Sequence, residues 1–568
     1  MSERRKPQPR PDFIVRDMIV QYIQHAIQKA QDAKVLPPMD VGDVAVEHPS
    51  DPRHGDFASS LPLRLARSAR MSPIDIAERL LNFLSPSAQV ENTWAAPPGF
   101  INFQLRDNWL QAQVDNVYQE GDKFGTLTIG NDQHIMIEFV SVNPTGPVHV
   151  GHARGAVLGS TLAAILSAAG YKVTREYYVN DAGSQMEAFY QSLHVRYKQT
   201  LGYDAQMPPK GYVGSYLIDL ANEIVKEHGE TFLSLPDKDA QNEIGTIGRE
   251  KMVSIIQDDL RTIRVEFDNW FREQQLYTNG DYDTIMRLLQ KGGHLSENEG
   301  ALWFGSMALG EDRDNVVVRS SGAPTYFASD IAYHYDKFVN RKHQKVINIW
   351  GADHQGHVGR MKAAVSALGI ESDRLTILIS QMVTLKRGTE VVRASKRTGE
   401  FITLRDLVEE VGSDACRYFF LSRAPSTQMD FDLELAKKES SENPVYYVQY
   451  AHARICSILS SASEKNILWH DADVYLLTNP NELTLIRKIV LLPELIESMA
   501  RTLEPHHLPH YALDLATAFH WFYENCRVLS NDPADLDISK ARLKLLEASR
   551  IALSRTLTLM GMSSPERM

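Results

Sequence analysis

Hydrophobic and polar positions change rhythm several times along the chain. In "DFIVRDMIVQYIQHAIQKAQDAKV" (12–35) apolar residues recur at helical spacing, which predicts an amphipathic helix opening a mixed domain. In "PPGFINFQLRDNWLQAQVDNVYQ" the residues Phe100, Ile101 and Phe103 predict a short strand running into a helix. The run "HIMIEFVSV" (134–142) is almost wholly β-branched or apolar, the pattern of a strand covered on both faces in a parallel sheet. Asn143-Pro144 ends it, a long apolar helix follows, and "YKVTREYYV" (171–179) reads as a second strand, making a βαβ unit. Further strands are expected at "NVVVRS" (315–320), "KVINIWG" (345–351) and "RLTILIS" (374–380), with helical patterns between them. Residues 185–270 are polar and helix-forming and read as an insertion. From "ENPVYYVQYAHARICSILSSA" (442–462) onward nearly every segment has 3.6-residue periodicity. The expected fold is α/β: a doubly wound, Rossmann-like (HUP-type) parallel-sheet domain over 126–435, an N-terminal α+β domain over 12–125 and a C-terminal all-α bundle over 436–568.

Composition narrows the classes without choosing one. A chain of 568 residues exceeds a single core and should divide into domains. Hydrophobic residues make up 43% and charged residues 23%, ordinary for a globular protein. Cys416, Cys456 and Cys526 are scattered without a CxxC pair, which argues against a disulfide framework and against zinc. No apolar run approaches the ~18 residues of a membrane span, and the expected compartment is cytoplasmic. The basic, proline-rich start "MSERRKPQPRP" lacks an apolar core, so residues 1–11 are expected to be a disordered tail rather than a signal peptide. The net charge of −12 gives no bulk attraction for nucleic acid but leaves room for a local basic face.

Candidate chemistry concentrates in "NPTGPVHVGHARG". A helix leaving the carboxyl end of a parallel strand aims its N-terminal N–H groups at the ligand crevice, where an anion is favoured. His149 and His152 are three apart and share a face, so both can point at one phosphate group. Gly146 and Gly151 remove side chains where a ligand must approach the backbone, and Pro144 and Pro147 stiffen the turn. The plainer alternative is that the imidazoles cap and pack while the glycines only make the turn. No GxxxxGK[ST] and no strand-borne GxGxxG is present, so neither a P-loop nor a dinucleotide site is indicated.

"HVGH" resembles the HIGH signature of class I aminoacyl-tRNA synthetases, and "VVRASKRTGEFITLRDL" resembles their mobile KMSKS loop. Arg393 and Ala394 stand where the family often has Lys and Met, while Ser395 and Lys396 fit. "IEFVSVNPTGPVHVGHARG", "YYVNDAGSQ", "VEFDNWFRE", "VVVRSSGAPTYFASDIAYHYDK" and "WGADHQGHVGRMKAA" together resemble arginyl-tRNA synthetases over nearly the full chain. That resemblance implies arginine activation by ATP with Mg2+, then transfer to tRNA(Arg), in a monomer, with activation requiring tRNA. It assigns His149, His152 and Lys396 to catalysis. ATP binding would involve Asn143, Gly146, His149, Gly151, His152, Gly351, Asp353, His354, Ser395 and Lys396. Arginine would be held by Glu138, Ser141, Asn143, Asp181, Tyr326, Asp330 and Gln355. A guanidinium has five donors in a rigid plane and a permanent charge, so carboxylates are its natural partners.

The resemblance also implies RNA contacts. Phe100, Asn102 and Gln104 are candidates in the N-terminal domain. In the C-terminal bundle Tyr446, Tyr450 and Arg454 form a stripe at i, i+4 and i+8 on which unpaired bases can stack. Met568 is a further candidate. The same stripe also reads as bundle core, with Tyr447 its inward partner, and "HWFYENCRVL" (520–529) is expected to be core. A non-catalytic tRNA-binding paralogue is the competing function.

Overall fold

The computed structural model describes residues 14–392 and 402–568. Helix α1 (Val15–Asp32) buries Ile19, Ile23 and Ile27 on one stripe, as the helical spacing predicts. Strand β1 (Phe57–Ser59) is followed by α2 (Leu61–Ala69), α3 (Pro73–Leu81), β2 (Val90–Ala96) and β3 (Phe100–Leu105), and the strands form an antiparallel sheet in the order β1-β3-β2. Ser72 caps α3 by accepting from the Asp75 N–H, and Pro73 occupies the first turn, where no N–H is needed. Helix α4 (Asp107–Glu120) then leaves this sheet and ties it to the far end of the chain: the Gln111 amide donates to the carbonyls of Tyr475 and Leu477 at 3.2 and 2.9 Å.

The central domain begins with β4 (His134–Glu138), α5 (Val150–Ala168) and β5 (Lys172–Val179). Helices α6 (Ser184–Thr200), α7 (Tyr216–His228) and α8 (Asp237–Thr262) make the helical insertion, and β6 (Asn269–Arg272) returns to the sheet. After α9 (Gln274–Thr278) and α10 (Asp281–Lys291), strands β7 (Leu295–Asn298), β8 (Ala301–Phe304) and β9 (Asn315–Val318) form a separate antiparallel sheet. Then come α11 (Tyr326–Tyr335), β10 (Lys345–Gly351), α12 (Val358–Ala367) and β11 (Leu375–Ser380). The main sheet is five-stranded, parallel throughout, in the order β11-β10-β4-β5-β6. The chain runs from β4 toward β5 on one side and reaches β10 on the other, so the strand order switches at β4/β10. Crevices at such switch points receive ligands in α/β sheets.

Two expectations change here. "NVVVRS" does not join the main sheet. It supplies β9 of the small sheet, where burial alternates residue by residue, as it does in a strand with one covered face. "HIMIEFVSV" is strand only to Glu138, because Val140 and Ser141 take φ of 70° and 46° and turn the backbone out of the sheet. Helix α5 packs so closely that a Cβ on Gly159 would stand 2.2 Å from the Phe139 ring.

A further small sheet, β13-β12-β14, brackets the synthetase-like loop: β12 is Val383–Arg387, β13 Glu390–Val391 and β14 Met429–Asp432. Helices α13 (Leu404–Val411), α14 (Ser413–Leu421) and α15 (Leu433–Ala436) complete this region. The C-terminal bundle contains α16 (Pro444–Glu464), α17 (Pro480–Val490), α18 (Leu492–Thr502), α19 (His507–Asn525) and α20 (Leu536–Leu559). Asn443 and Asn479 cap the first two of these helices. The buried Arg417 guanidinium binds the central domain to the C-terminal bundle, donating to the carbonyl of Ile263 at the end of the insertion and to that of Met560.

Candidate nucleotide and amino-acid site

His149 is the N-cap of α5, with an extended backbone, and its Nδ1 accepts the Gly151 N–H at 3.1 Å. That bond sets the tautomer of the neutral ring, placing its proton on Nε2. The His149 and His152 rings lie 3.7 Å apart between centroids. Burial lowers the pKa of His149, and burial together with the His149 ring lowers that of His152 to about 3. Both imidazoles are therefore neutral near pH 7, and each offers one N–H without a fixed charge. Nδ1 of His152 is buried without a hydrogen-bond partner among the described residues.

Of the two glycines of the turn, Gly151 has a steric reason of its own, while Gly146 has room for a Cβ at ordinary contact distance. A Cβ on Gly151 would approach the His149 ring to 2.9 Å, and one on Gly146 would lie 3.4 Å from the Tyr216 ring of the insertion. Tyr216 also donates from its hydroxyl to the Thr145 carbonyl at 2.6 Å, so α7 supports the turn. Below it, the buried Arg154 donates to the carbonyls of Gln381, Ala424 and Thr427, at 3.0, 2.8 and 2.8 Å.

Ser395 and Lys396 lie outside the described residues, as does Arg393. The chain beyond them, however, pairs with the histidine turn. Val150 N–H donates to the Ile402 carbonyl at 3.2 Å, Leu404 N–H to the Val148 carbonyl at 2.7 Å, and His149 bridges Thr403. Across the switch point, Gly351, Asp353, His354 and Gln355 stand exposed at the carboxyl end of β10. Asp353 and His354 approach each other to 3.4 Å, and the Asp353 carboxylate fills the space a side chain on Gly351 would need.

The amino-acid candidates gather around a set of buried carboxylates. Glu138, at the end of β4, accepts from the Ser141 hydroxyl at 2.9 Å and from the Lys337 ammonium at 2.6 Å. Ser141 in turn accepts the Tyr178 N–H at 3.1 Å, a contact that the positive-φ turn makes possible. Tyr326 and Asp330 are one turn apart on α11. Tyr326 is 47% exposed, and Asp330 lies deeper, its pKa pushed up to about 7 by burial and then by the charges of Glu138 and Glu273. Glu273, after β6, is buried, and burial raises its pKa as well. Neither Asp330 nor Glu273 has an ion-pair partner among the described residues. Asn143 donates to the Gln185 side chain, beside the amino-acid candidates.

Asp181 already has partners within the protein. Its carboxylate is committed to the protein itself, accepting the Gln274 N–H at 3.1 Å and lying 3.6 and 3.8 Å from the guanidiniums of Arg272 and Arg249. Those cations come from β6 and α8, and their convergence on one carboxylate could not be read from local spacing. Glu273 is the residue that sequence reasoning missed. It stood in the quoted "VEFDNWFRE", but only its burial beside Asp330 marks it.

Among family models, "tRNA synthetases class I (R), catalytic domain" matches residues 113–423, "Arginyl tRNA synthetase N terminal domain" matches 17–105, and "DALR anticodon binding domain" matches 448–568. The arginine–tRNA ligase of Dehalococcoides mccartyi (strain CBDB1) is 54% identical over 554 residues, 98% of this chain and 99% of that one. The chain belongs to the class I arginyl-tRNA synthetase family. The arginine–tRNA ligase of Carboxydothermus hydrogenoformans is 47% identical over 526 residues, 92% of this chain and 94% of that one. The Thermus thermophilus arginyl-tRNA synthetase structure shares the fold, with a TM-score of 0.76 at 22% identity, covering 98% of this chain and all of that one. The non-catalytic alternative is set aside, since a catalytic-domain match spans the histidine turn and the near-full-length relatives are ligases.

The RNA-facing candidates of this synthetase differ from one another. Phe100 and Gln104 are partly exposed, and Gln104 accepts from the Asn92 amide at 3.0 Å. Asn102, expected beside them, is corrected to a buried position: it is 1% exposed, and neither polar atom of its side-chain amide has a hydrogen-bond partner among the described residues. The pleat turns it to the opposite side of the strand from Ile101 and Phe103, under cover of the domain. In the bundle the Tyr446 and Tyr450 rings are nearly parallel, 9° apart at 6.2 Å, and Tyr450 also stacks on His520 at 6.1 Å. Arg454 lies 5.0 Å from the Tyr523 ring, and Tyr447 packs partly buried against His520. "HWFYENCRVL" is not uniformly core: Phe522 is buried, whereas Trp521 is 59% exposed, because the helix turns it away from the bundle. Met568 is exposed.

Proposed function

We propose that this synthetase activates L-arginine with ATP to arginyl-adenylate, releasing pyrophosphate, and passes the arginyl group to the 3′ end of tRNA(Arg). The observation that carries the choice of amino acid is a pair of carboxylates, half-buried Asp330 and buried Glu273, that lack an ion-pair partner among the described residues. A buried ionised carboxylate without a partner costs several kcal/mol, and a guanidinium removes that cost while presenting planar, paired donors. Glu138 and Asn143 would receive the α-amino and carboxylate end near the strand termini, with Ser141, Tyr326 and Gln355 around the side chain.

In the first step the arginine carboxylate oxygen attacks the α-phosphorus of ATP in line, and the bond to the β-phosphate oxygen breaks. The protein contributes positioning and charge stabilisation. Nε2–H of His149 and one N–H of His152 would donate to phosphate oxygens, and Lys396 would follow the departing pyrophosphate on its loop. The pairing of Ile402–Leu404 with Val148–Val150 supports this, because the loop's far root is hydrogen-bonded to the histidine turn. Gly351, Asp353 and His354 would border the nucleoside. Mg2+ arrives with the ATP, and among the described residues no cluster of three or more His, Cys, Asp or Glu is arranged to hold a metal. Phe100 and Gln104 would meet the tRNA body, and Tyr446, Tyr450, Arg454 and Met568 its anticodon. The enzyme would act as a cytoplasmic monomer; no helix among the described residues is long and apolar enough to cross a membrane.

ATP–pyrophosphate exchange with each amino acid, with and without tRNA(Arg), tests the reading. Exchange is expected with arginine alone among the amino acids, and only when tRNA is present. Exchange with lysine at a comparable rate would overturn the assignment.

A further inference from the structure

We propose that Arg487 is a positioning residue for tRNA: it braces the N-terminal domain against the helical bundle and so sets the spacing between the two RNA-contacting faces. This rests on the reading above that puts Phe100 and Gln104 against the tRNA body and Tyr446 and Tyr450 against its anticodon.

Arg487 lies on α17 of the bundle, and its Nε donates to the Asp56 carboxylate of the N-terminal domain at 2.6 Å, across 431 positions of sequence. Its Nη2 lies 3.8 Å from Asp107, in the first turn of α4. Asp56 is in turn fastened to β3, the strand that carries Phe100 and Gln104. Its carboxylate accepts the Leu105 N–H at 2.7 Å, and its own N–H donates to the Phe103 carbonyl at 2.8 Å. That approach needs Gly55, which takes φ of 85° and where a Cβ would stand 2.5 Å from the Phe103 oxygen. On the bundle side of the joint, the Tyr511 hydroxyl of α19 donates to the Lys488 carbonyl of α17 at 3.0 Å. Helix α19 also carries His520, on which Tyr450 stacks. From Tyr450 through α19, α17 and Asp56 to β3, fixed contacts run from one face to the other.

Charged contacts recur along the same interface. Glu494 of α18 is buried, 3.6 Å from Arg16 of α1 and 3.3 Å from Nε2 of His48. Nδ1 of His48 lies 2.9 Å from the Asp56 carbonyl. Lys544 of α20, also buried, pairs with Asp115 of α4. Apolar packing of α4 against α17 and α20 supplies adhesion, but burial of apolar surface is non-directional. Paired charges are directional and fix register.

Rigidity at this joint has a consequence for RNA. Once one face has bound, the second contact is intramolecular, and its effective concentration is greatest when the connection holds both faces at the span of the RNA. Domains of one chain move relative to each other unless their interface is large and apolar. A braced joint therefore favours an RNA of one length between body and anticodon and penalises one that is longer. A loosened joint gives up both affinity and selectivity.

The test is aminoacylation by the full-length enzyme, comparing tRNA(Arg) with a transcript whose anticodon stem is one base pair longer, for wild type, Arg487→Met, Arg487→Lys and Glu494→Gln. Wild type is expected to use the longer RNA at least about tenfold less well in kcat/KM. Arg487→Met should raise KM for tRNA(Arg) about fivefold, leave kcat within about twofold, and cut the discrimination to below about threefold. Arg487→Lys, which keeps the charge, should retain most of the discrimination. Glu494→Gln should weaken it in the same direction, and carries the test if the methionine variant fails to fold. Equal use of both RNAs by wild type, or discrimination unchanged in both neutral variants, overturns the proposal. Phe100→Ala and Tyr450→Ala separate it from the faces themselves: an unaltered KM for tRNA in both would refute the RNA-face reading and not only the role of Arg487.

Discussion

The two ends of the active site are built on opposite plans. At the proposed nucleotide end His149 and His152 are neutral and near the surface, the helix terminus offers N–H groups, and Ile402 and Leu404 are hydrogen-bonded to the histidine turn. At the proposed amino-acid end the carboxylates belong to the interior: Glu138 is paired with Lys337, and burial raises the pKa of Asp330, up to about 7, and that of Glu273. The difference follows from the ligands. Pyrophosphate must leave in every cycle, so a site that grips it with fixed buried cations would hold the product. Arginine must be told apart from other amino acids and keeps one charge throughout, so fixed and partly uncompensated anions suit it.

The sharpest way to break this contrast is Asp330→Asn. Arginine affinity should fall about 10³-fold, the scale for leaving a buried charge unpaired, while ATP affinity stays within twofold. Equilibrium binding of each ligand alone would check it. Next is Lys396→Ala, which should slow adenylate formation about 10²- to 10³-fold, as expected for a group acting on transition-state charge, with arginine affinity little changed. A near-normal burst in single-turnover assays would remove Lys396 from the step.

Acidity sharpens the comparison further. Asp330 titrates at about 7 in the protein, above its ordinary value. Its neutral form is the one the ligand-free fold prefers, so its contribution to stability is present at low pH and lost as pH rises through about 7. Arginine needs the ionised form. Its affinity should accordingly be full above pH 7 and drop about tenfold per unit below it, and its stabilising effect on melting should be larger at pH 8 than at pH 6. ATP affinity, measured alongside, should lack this limb. The smallest effect concerns a surface remote from both ends: Tyr450→Ala should raise KM for tRNA about tenfold, the value of one lost stacking contact, without altering arginine affinity at saturating tRNA.

Legibility divided along physical lines. Helix α5 and strands β4 and β10 were evident because buried elements demand mostly apolar runs, β5 and β11 because they are rich in β-branched and aromatic or aliphatic residues, and the HVGH turn because glycine, proline and histidine each have few reasons to stand there. Strand β6 was not, since it spans four residues with only Phe271 buried. "NVVVRS" looked like its neighbours, because β-branched content does not say which sheet a strand joins. Trp521 sat in an apolar stretch, and its exposure depended on how α19 packs. Asn102 and Gln104 have the same short-range signature, yet one is enclosed and the other is not.

Local periodicity and turn chemistry were thus enough to establish the βαβ frame, the helical bundle and the pairing of two histidines at the front of α5, since these rest on interactions between residues close along the chain. The partnership of charges was decided only by folding. Asp181 meets Arg249 and Arg272, Glu138 meets Lys337 across 199 positions, and Asp330 is left beside Glu273. Whether a carboxylate is compensated depends on everything within a few ångströms of it in space, and distance along the sequence carries no record of that.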